Sequence, residues 1–206
     1  MNTMKVMLLI AAAGHLLCGY TDCLLTYLPG GRFRFEDMKD NRKLSAAFEG
    51  LPLRKPLLSM VLGCLAMFLF FGGYIALCQW MKQYSEVCAA LMLIGTGMMV
   101  TFGMAHHILC GVPEWLYARL DRTENARRII VELFRKTSVT LIVCYLGFLL
   151  FGISLFVAVV SGWTSLPAWA CVFNVVPLML ILFPARIGGS GNWAGAIMFI
   201  ALLFLL

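Results

Sequence analysis

Six long runs of apolar residues dominate this chain and leave it few ways to fold. They run approximately Val6–Leu28, Leu57–Trp80, Val87–Leu109, Val139–Val160, Leu166–Phe183 and Trp193–Leu206. A helix needs about 20 mostly apolar residues to cross roughly 30 Å of hydrocarbon. In lipid, every backbone N–H and C=O must be paired internally, which a helix does within its own segment. A membrane barrel would instead show alternating segments of about ten residues, and the sequence has none. Composition agrees: 62% of the residues are hydrophobic and 13% charged, against about 45–50% and about 25% in soluble domains. Roughly 200 residues cannot enclose that much apolar surface. Soluble enzyme, disordered tail, secreted disulfide scaffold and coiled coil are set aside. The expectation is an all-α, polytopic integral membrane bundle of six transmembrane helices, forming one domain over residues 1–206.

The first run carries His15 and Asp22 and no small-residue cleavage signature, so it is expected to be a retained span and not a signal peptide. The loops then orient the bundle. Of sixteen Lys and Arg, seven lie between the first and second spans and six between the third and fourth. Arg186 lies between the fifth and sixth, and only Lys5 and Lys82 fall on the other side. By the positive-inside rule the basic connections, 29–56 and 110–137, are cytoplasmic and both termini face outward. The net charge of +6 is thus a topology signal with some attraction to anionic lipid head groups; nothing points to nucleic acid. Within the connections, Asp37 to Glu49 reads as a short helix stopping at Gly50 and Pro52. Asp121 and Glu124 read as a capping pair, followed by Glu124–Arg128, Arg128–Glu132 and Glu132–Lys136 at i,i+4. With no Gly or Pro between Arg119 and Gly147, the fourth span is expected to begin as a cytoplasmic helix.

The chain also echoes itself. His15-Leu16-Leu17-Cys18-Gly19 matches His107-Ile108-Leu109-Cys110-Gly111, and three residues further on Asp22 corresponds to Glu114. Cys64 with Phe68–Gly72 likewise matches Cys144 with Phe148–Gly152. The pattern suggests a helical hairpin (span, basic loop, span) used twice in parallel, a kind of repeat known in transporters. Chance similarity between Leu-rich segments is the competing reading.

Ionisable groups inside spans are costly and mark either function or a structural polar contact. His15, Cys18 and Asp22 lie at i, i+3 and i+7, on one helical face, and His107, Cys110 and Glu114 repeat that spacing. His106 is adjacent, Arg186 and Asn192 approach from the last connection, and Asn174 lies deeper in the fifth span. Together they are expected to form a polar pocket open to the cytoplasm, with Asp22 within reach of His106 or His107. Three readings stay open. Asp22 fixes helix packing; or the cluster lines a site for a small or amphipathic ligand, on a transport path or not; or His15, Asp22, His106 and His107 hold zinc for hydrolysis. Against the third, there is no HExxH and no His pair at i,i+4.

The eight cysteines form no CxxC pair and read as buried hydrophobes. Cys78 and Cys88 flank a short outer turn and are a candidate disulfide in an oxidising compartment. Gly188, Gly189, Gly191 and Gly195 surround the entry to the last span, and the last two have the small-xxx-small spacing of close helix packing. No P-loop pattern occurs.

The stretch Gly19–Gly30, the region of His106 and the closing Gly191–Phe199 resemble a bacterial family of small polytopic membrane proteins of unknown function. The resemblance implies a bacterial cytoplasmic membrane location and brings no activity, cofactor or catalytic residue. The seven-span hydrolases that include alkaline ceramidases also use intramembrane His, Asp and Ser, but one span and a second His pair are missing here. The expectation is therefore a non-enzymatic protein, without cofactor, that contacts membrane lipids and binds or moves a small or amphipathic molecule. A His/Asp metal hydrolase and a structural or partner-binding subunit are the alternatives.

Overall fold

A computed structural model describes residues 2–206, most of them helical. The elements are α1 (Thr3–Thr26), strands β1 (Tyr27–Leu28) and β2 (Gly31–Arg32), α2 (Asn41–Ala47), α3 (Arg54–Met81), α4 (Glu86–Arg119), α5 (Glu124–Thr137), α6 (Val139–Val160), α7 (Val175–Leu182) and α8 (Ser190–Leu205). Single 3-10 turns occupy Phe35–Lys39, Ala168–Phe173 and Phe183–Ala185.

Local chemistry sets most of these boundaries. The first N–H groups of a helix have no partner in the helix, and a short polar side chain supplies one. Asn2 accepts from the Lys5 N–H at 2.9 Å, Ser85 from Cys88 at 3.2 Å and Asn174 from Val176 at 2.9 Å. At α5 the cap is Thr123, which accepts from Ala126 at 3.2 Å. Asp121, expected in that role, instead adopts a left-handed φ of 55°, as does Arg122, to turn the chain sharply out of α4. Glu124 pairs with both Arg127 and Arg128, and Glu132 with Lys136. α6 ends on Gly162 at φ 70°, a backbone conformation that glycine adopts without steric cost.

Four helical runs are long and apolar enough to cross a membrane: α1, α3, α4, and α5 with α6 as a single run over Glu124–Val160. Large apolar side chains face outward around the bundle; Val61, Phe68, Leu180 and Phe204 are 69–81% exposed. The expected fifth and sixth spans come out differently. Residues 166–183 are not one helix, because Asn174 adopts an extended conformation to cap α7 and separates it from the 3-10 turn before it. Pro167 and Pro177 each lack an N–H, so the stretch cannot build a continuous ladder. α8 starts three residues before Trp193 and has 16 residues, about 24 Å at 1.5 Å per residue. The first helix stops two residues early, where Tyr27-Leu28 pairs with Gly31-Arg32 as a tight hairpin. α4 continues ten residues past Leu109, through Pro113, to Arg119.

α1 packs chiefly on α3 and α8, and α4 on α3 and α6. The close crossings use glycine. A Cβ on Gly14 would lie 2.8 Å from the Ala66 carbonyl oxygen, and one on Gly95 would lie 2.6 Å from that of Gly147. Burying Leu8, Phe70, Tyr74, Leu77, Met92, Phe151 and Phe199 forms the bundle core. A second, separate core gathers Leu28, Leu44, Phe48, Tyr117, Ala126 and Ile130 beneath α2, α5 and the hairpin. Two bonds tie this cap together: Tyr117 Oη donates to Asn41 Oδ1 at 2.7 Å, and Arg127 Nη1 to the Met38 carbonyl at 2.7 Å.

Candidate functional site

Between the bundle core and the cap lies a cavity of about 500 Å³. Its polar lining comes from α1 (His15, Asp22), α4 (His106, His107, Glu114) and the start of α8 (Asn192), and Arg32 of the hairpin joins at the cap. Its apolar lining is Met67, Phe70 and Met99 from the bundle, Phe148 of α6, and Phe33, Phe35, Phe48 and Phe134 from the cap.

The polar groups form one chain of hydrogen bonds. His15 Nε2 lies 3.0 Å from Tyr74 Oη, and His15 Nδ1 lies 3.0 Å from Asn192 Oδ1. Asn192 Nδ2 donates to Asp22 Oδ2 at 2.7 Å. Asp22 Oδ1 faces His107 Nδ1 at 3.3 Å. His107 Nε2 then lies 3.0 Å from the Ser59 carbonyl oxygen. Donor and acceptor inventories orient the row. Asn192 donates with its nitrogen, so its oxygen accepts from His15 Nδ1–H. His15 Nε2 is then the acceptor for the Tyr74 hydroxyl. His107 stands between a carboxyl and a carbonyl: Nε2 must donate to the Ser59 carbonyl oxygen, and Nδ1 shares a proton with Asp22 Oδ1. Asp22 is thereby held at both oxygens while its side chain remains 26% exposed to the cavity.

Backbone geometry makes these contacts available. Both rings lie against a glycine of a neighbouring helix, His107 on Gly63 and His15 on Gly195, where any Cβ would overlap the ring. His15 also stacks on Phe70 with ring centroids 4.2 Å apart and planes at 8°. The loop before α8 reaches Asp22 through Gly189, whose φ of 73° disfavours other residues and where a Cβ would lie 2.9 Å from Asp22 Oδ2.

The other candidates are placed less uniformly. His106 lines the cavity with Nδ1 3.2 Å from Thr140 Oγ1 and Nε2 3.4 Å from Cys110 Sγ. Glu114 is only 7% exposed, and its Oε2 has no hydrogen-bond partner. Asn174 stands apart from the cluster: it caps α7 and donates to the Gly152 carbonyl at 2.9 Å. Arg186, at φ 50° in an exposed turn, lies outside the cavity lining. Cys78 and Cys88 are separate thiols, Cys78 facing Thr96 Oγ1 at 3.8 Å inside the bundle. Among the described residues no group of three His, Cys, Asp or Glu is arranged to hold a metal ion. His15 faces Tyr74 and Asn192, and His106 faces Thr140 and Cys110.

Ser59, His107 and Asp22 follow one another as in a hydrolase triad, but the serine is not offered to a substrate. Its hydroxyl is fully buried and donates to the Thr21 carbonyl at 2.8 Å. Ser59, Tyr74 and the aromatic lining from the cap are the site residues that sequence reasoning missed. A hydroxyl inside an apolar span is the signal that could have found the first two, since such a group needs a partner in lipid. Nothing local marks Phe33, Phe35 or Phe134.

No curated protein and no solved structure matches the chain. One family model does match, over residues 1–203, and the chain accordingly belongs to the family of unknown function DUF6796.

Proposed function

We propose that this chain is a multi-pass protein of the bacterial cytoplasmic membrane that binds or moves a small or amphipathic molecule. The observation that carries the reading is the roughly 500 Å³ cavity, with a hydrogen-bonded carboxylate and histidine cluster on one side and Met and Phe on the other. Ligand cavities commonly occupy about 300–1,000 Å³ and combine apolar walls with a few fixed polar groups. An intramembrane carboxylate costs about 2.5–3.5 kcal/mol on insertion scales, and holding Asp22 at both oxygens while leaving it reachable is a use that offsets the cost.

In this reading the broken 166–183 segment and α8 form the fifth and sixth crossings. The fourteen basic residues of the connections face the cytoplasm and both termini face outward. The pairing of α1 with α3 and α4 with α6 supports a hairpin used twice, the first contributing His15 and Asp22 to the cavity and the second His106, His107 and Glu114. The cavity then opens beneath the cytoplasmic cap.

Native mass spectrometry of protein purified in mild detergent tests the proposal. A molecule retained one per chain by the wild type and lost from Asp22→Asn is the expected result. Stoichiometric zinc surviving mild chelation would overturn it in favour of a metal hydrolase. Absence of any retained or added ligand would overturn it in favour of a structural subunit.

A further inference from the structure

We infer that the ligand is a lipid dissolved in the bilayer, and that it enters the cavity sideways through a slit between α6 and α7. The inference rests on the binding function proposed above and adds the source of the ligand and its route. The helices form an incomplete ring around the cavity. α6 packs on α4, α4 on α3, α3 on α1, α1 on α8 and α8 on α7. The two ends of that series, α6 and α7, meet toward the outer side. There Gly152 takes the start of α7 so closely that a Cβ would lie 2.5 Å from Val176 Cγ2, and Asn174 Nδ2 donates to the Gly152 carbonyl at 2.9 Å. Toward the cytoplasm the cavity stands between them. Leu141, Cys144, Tyr145 and Phe148 of α6 line one side, and Met179 of α7 lines the other.

Both lips of the slit lie on the lipid-facing perimeter. Tyr145 lines the cavity and is also 45% exposed, while Ile142 and Leu146 beside it and Leu180 and Ile181 on α7 face outward. The water side is covered. Phe48 and Ile130, buried in the core of the cap, roof the cavity, and the Tyr117–Asn41 and Arg127–Met38 bonds tie that cap together. A buried water needs about two to four polar partners, and Leu141, Phe148 and Met179 carry no hydroxyl, amide or charge. Lipid chains are as apolar as these side chains and fill the slit without that cost. Phe134, just before α6, lines the cavity with its ring centroid 5.6 Å from that of Phe35. Phe35 and Arg32 line the cavity and are exposed at the cap. A head group passes at this end while its chain stays in hydrocarbon.

Photolabelling of the full-length protein in phosphatidylcholine vesicles tests the route, with adducts mapped by peptide mass spectrometry. One probe is a phosphatidylcholine carrying a diazirine in its acyl chain; the other is photo-leucine, a water-soluble diazirine. Yields are scaled to exposed residues that each probe reaches, Ile142 and Leu180 for the lipid, Lys43 and Arg128 for photo-leucine. The lipid is expected to label Met67 and Met99, which line the cavity deep in the bundle, at least ten-fold more than photo-leucine does. Leu141→Trp combined with Met179→Trp narrows the slit and is expected to lower those inner adducts at least ten-fold, with Ile142 and Leu180 labelled as before. Inner labelling by photo-leucine equal to or above that by the lipid would overturn the lateral route and leave the binding cavity standing. Inner lipid adducts unchanged in the double variant would also overturn it. Should that variant fail to fold, the two wild-type patterns decide. Inner adducts from neither probe would overturn the cavity reading itself.

Discussion

His15 and His107 stand at matched positions of the same five-residue pattern, each against a glycine of a neighbouring helix, yet they occupy different chemical states. His15 lies between a hydroxyl and an amide oxygen and is clasped by Phe70 and Phe199. One ring proton satisfies it. His107 lies between a carboxyl and a carbonyl, and satisfying it takes one proton on Nε2 and a second shared with Asp22. The first ring therefore acts as a connector that fixes Asn192, and through Asn192 the carboxyl of Asp22. The second shares charge with Asp22. Proximity of imidazole to carboxylate is thus not a property of the sequence pattern but of what the neighbouring helix presents: Asp22 of α1 to His107, Asn192 of α8 to His15.

Several measurements would break or sharpen that contrast. Asp22→Ala leaves His107 facing a vacated site and removes the only charged partner in the row. Loss of one partner from a buried ion pair costs about 3–5 kcal/mol, and with Asp22 a quarter exposed we expect about 3, the low end of that range. A thermal unfolding midpoint in detergent equal to the wild type would show that the pair carries no stability. Next are Gly63→Ala and Gly195→Ala, each expected to cost about 2 kcal/mol through overpacking. Only the first should disturb the Asp22–His107 pair directly, visible as a changed His107 imidazole signal. Equal disturbance of both rings by either variant would mean the two sites are not separable.

Tyr74→Phe is milder. It removes the donor to His15 Nε2, at about 1 kcal/mol, and should leave Asp22 and His107 untouched. A loss as large as that of Asp22→Ala would contradict the connector role. The gentlest test perturbs nothing. In protein labelled with ¹⁵N-histidine, His107 should show two protonated nitrogens and His15 one protonated and one bare. A bare nitrogen on His107 would place the shared proton on Asp22 instead.

Much of this was legible in the sequence. Apolar run length marked α1, α3, α4 and α6, because satisfying backbone groups without water leaves helix as the only local solution. The i, i+3, i+7 spacing put His15 and Asp22 on one face, and His107 and Glu114 on another. Residues 166–183 misled because mean hydropathy does not register that two prolines and a capping Asn interrupt the hydrogen-bond ladder. Arg186 joins the expected cluster by its place in the last connection and Asn174 by its place in the fifth span, but neither place says which way a side chain faces.

The sequence by itself determined where the apolar helices lie, which connections are basic and which few ionisable groups the apolar runs carry, since each follows from composition within one short stretch of chain. Only the tertiary structure decided who partners whom. Asn192 reaches His15 across 177 positions, Tyr74 across 59, and Ser59 meets His107 across 48. A hydrogen bond tolerates a few tenths of an ångström, and that tolerance is met or missed by the rotation and depth of whole helices packed glycine to ring. Helical periodicity names a face but fixes neither rotation nor depth.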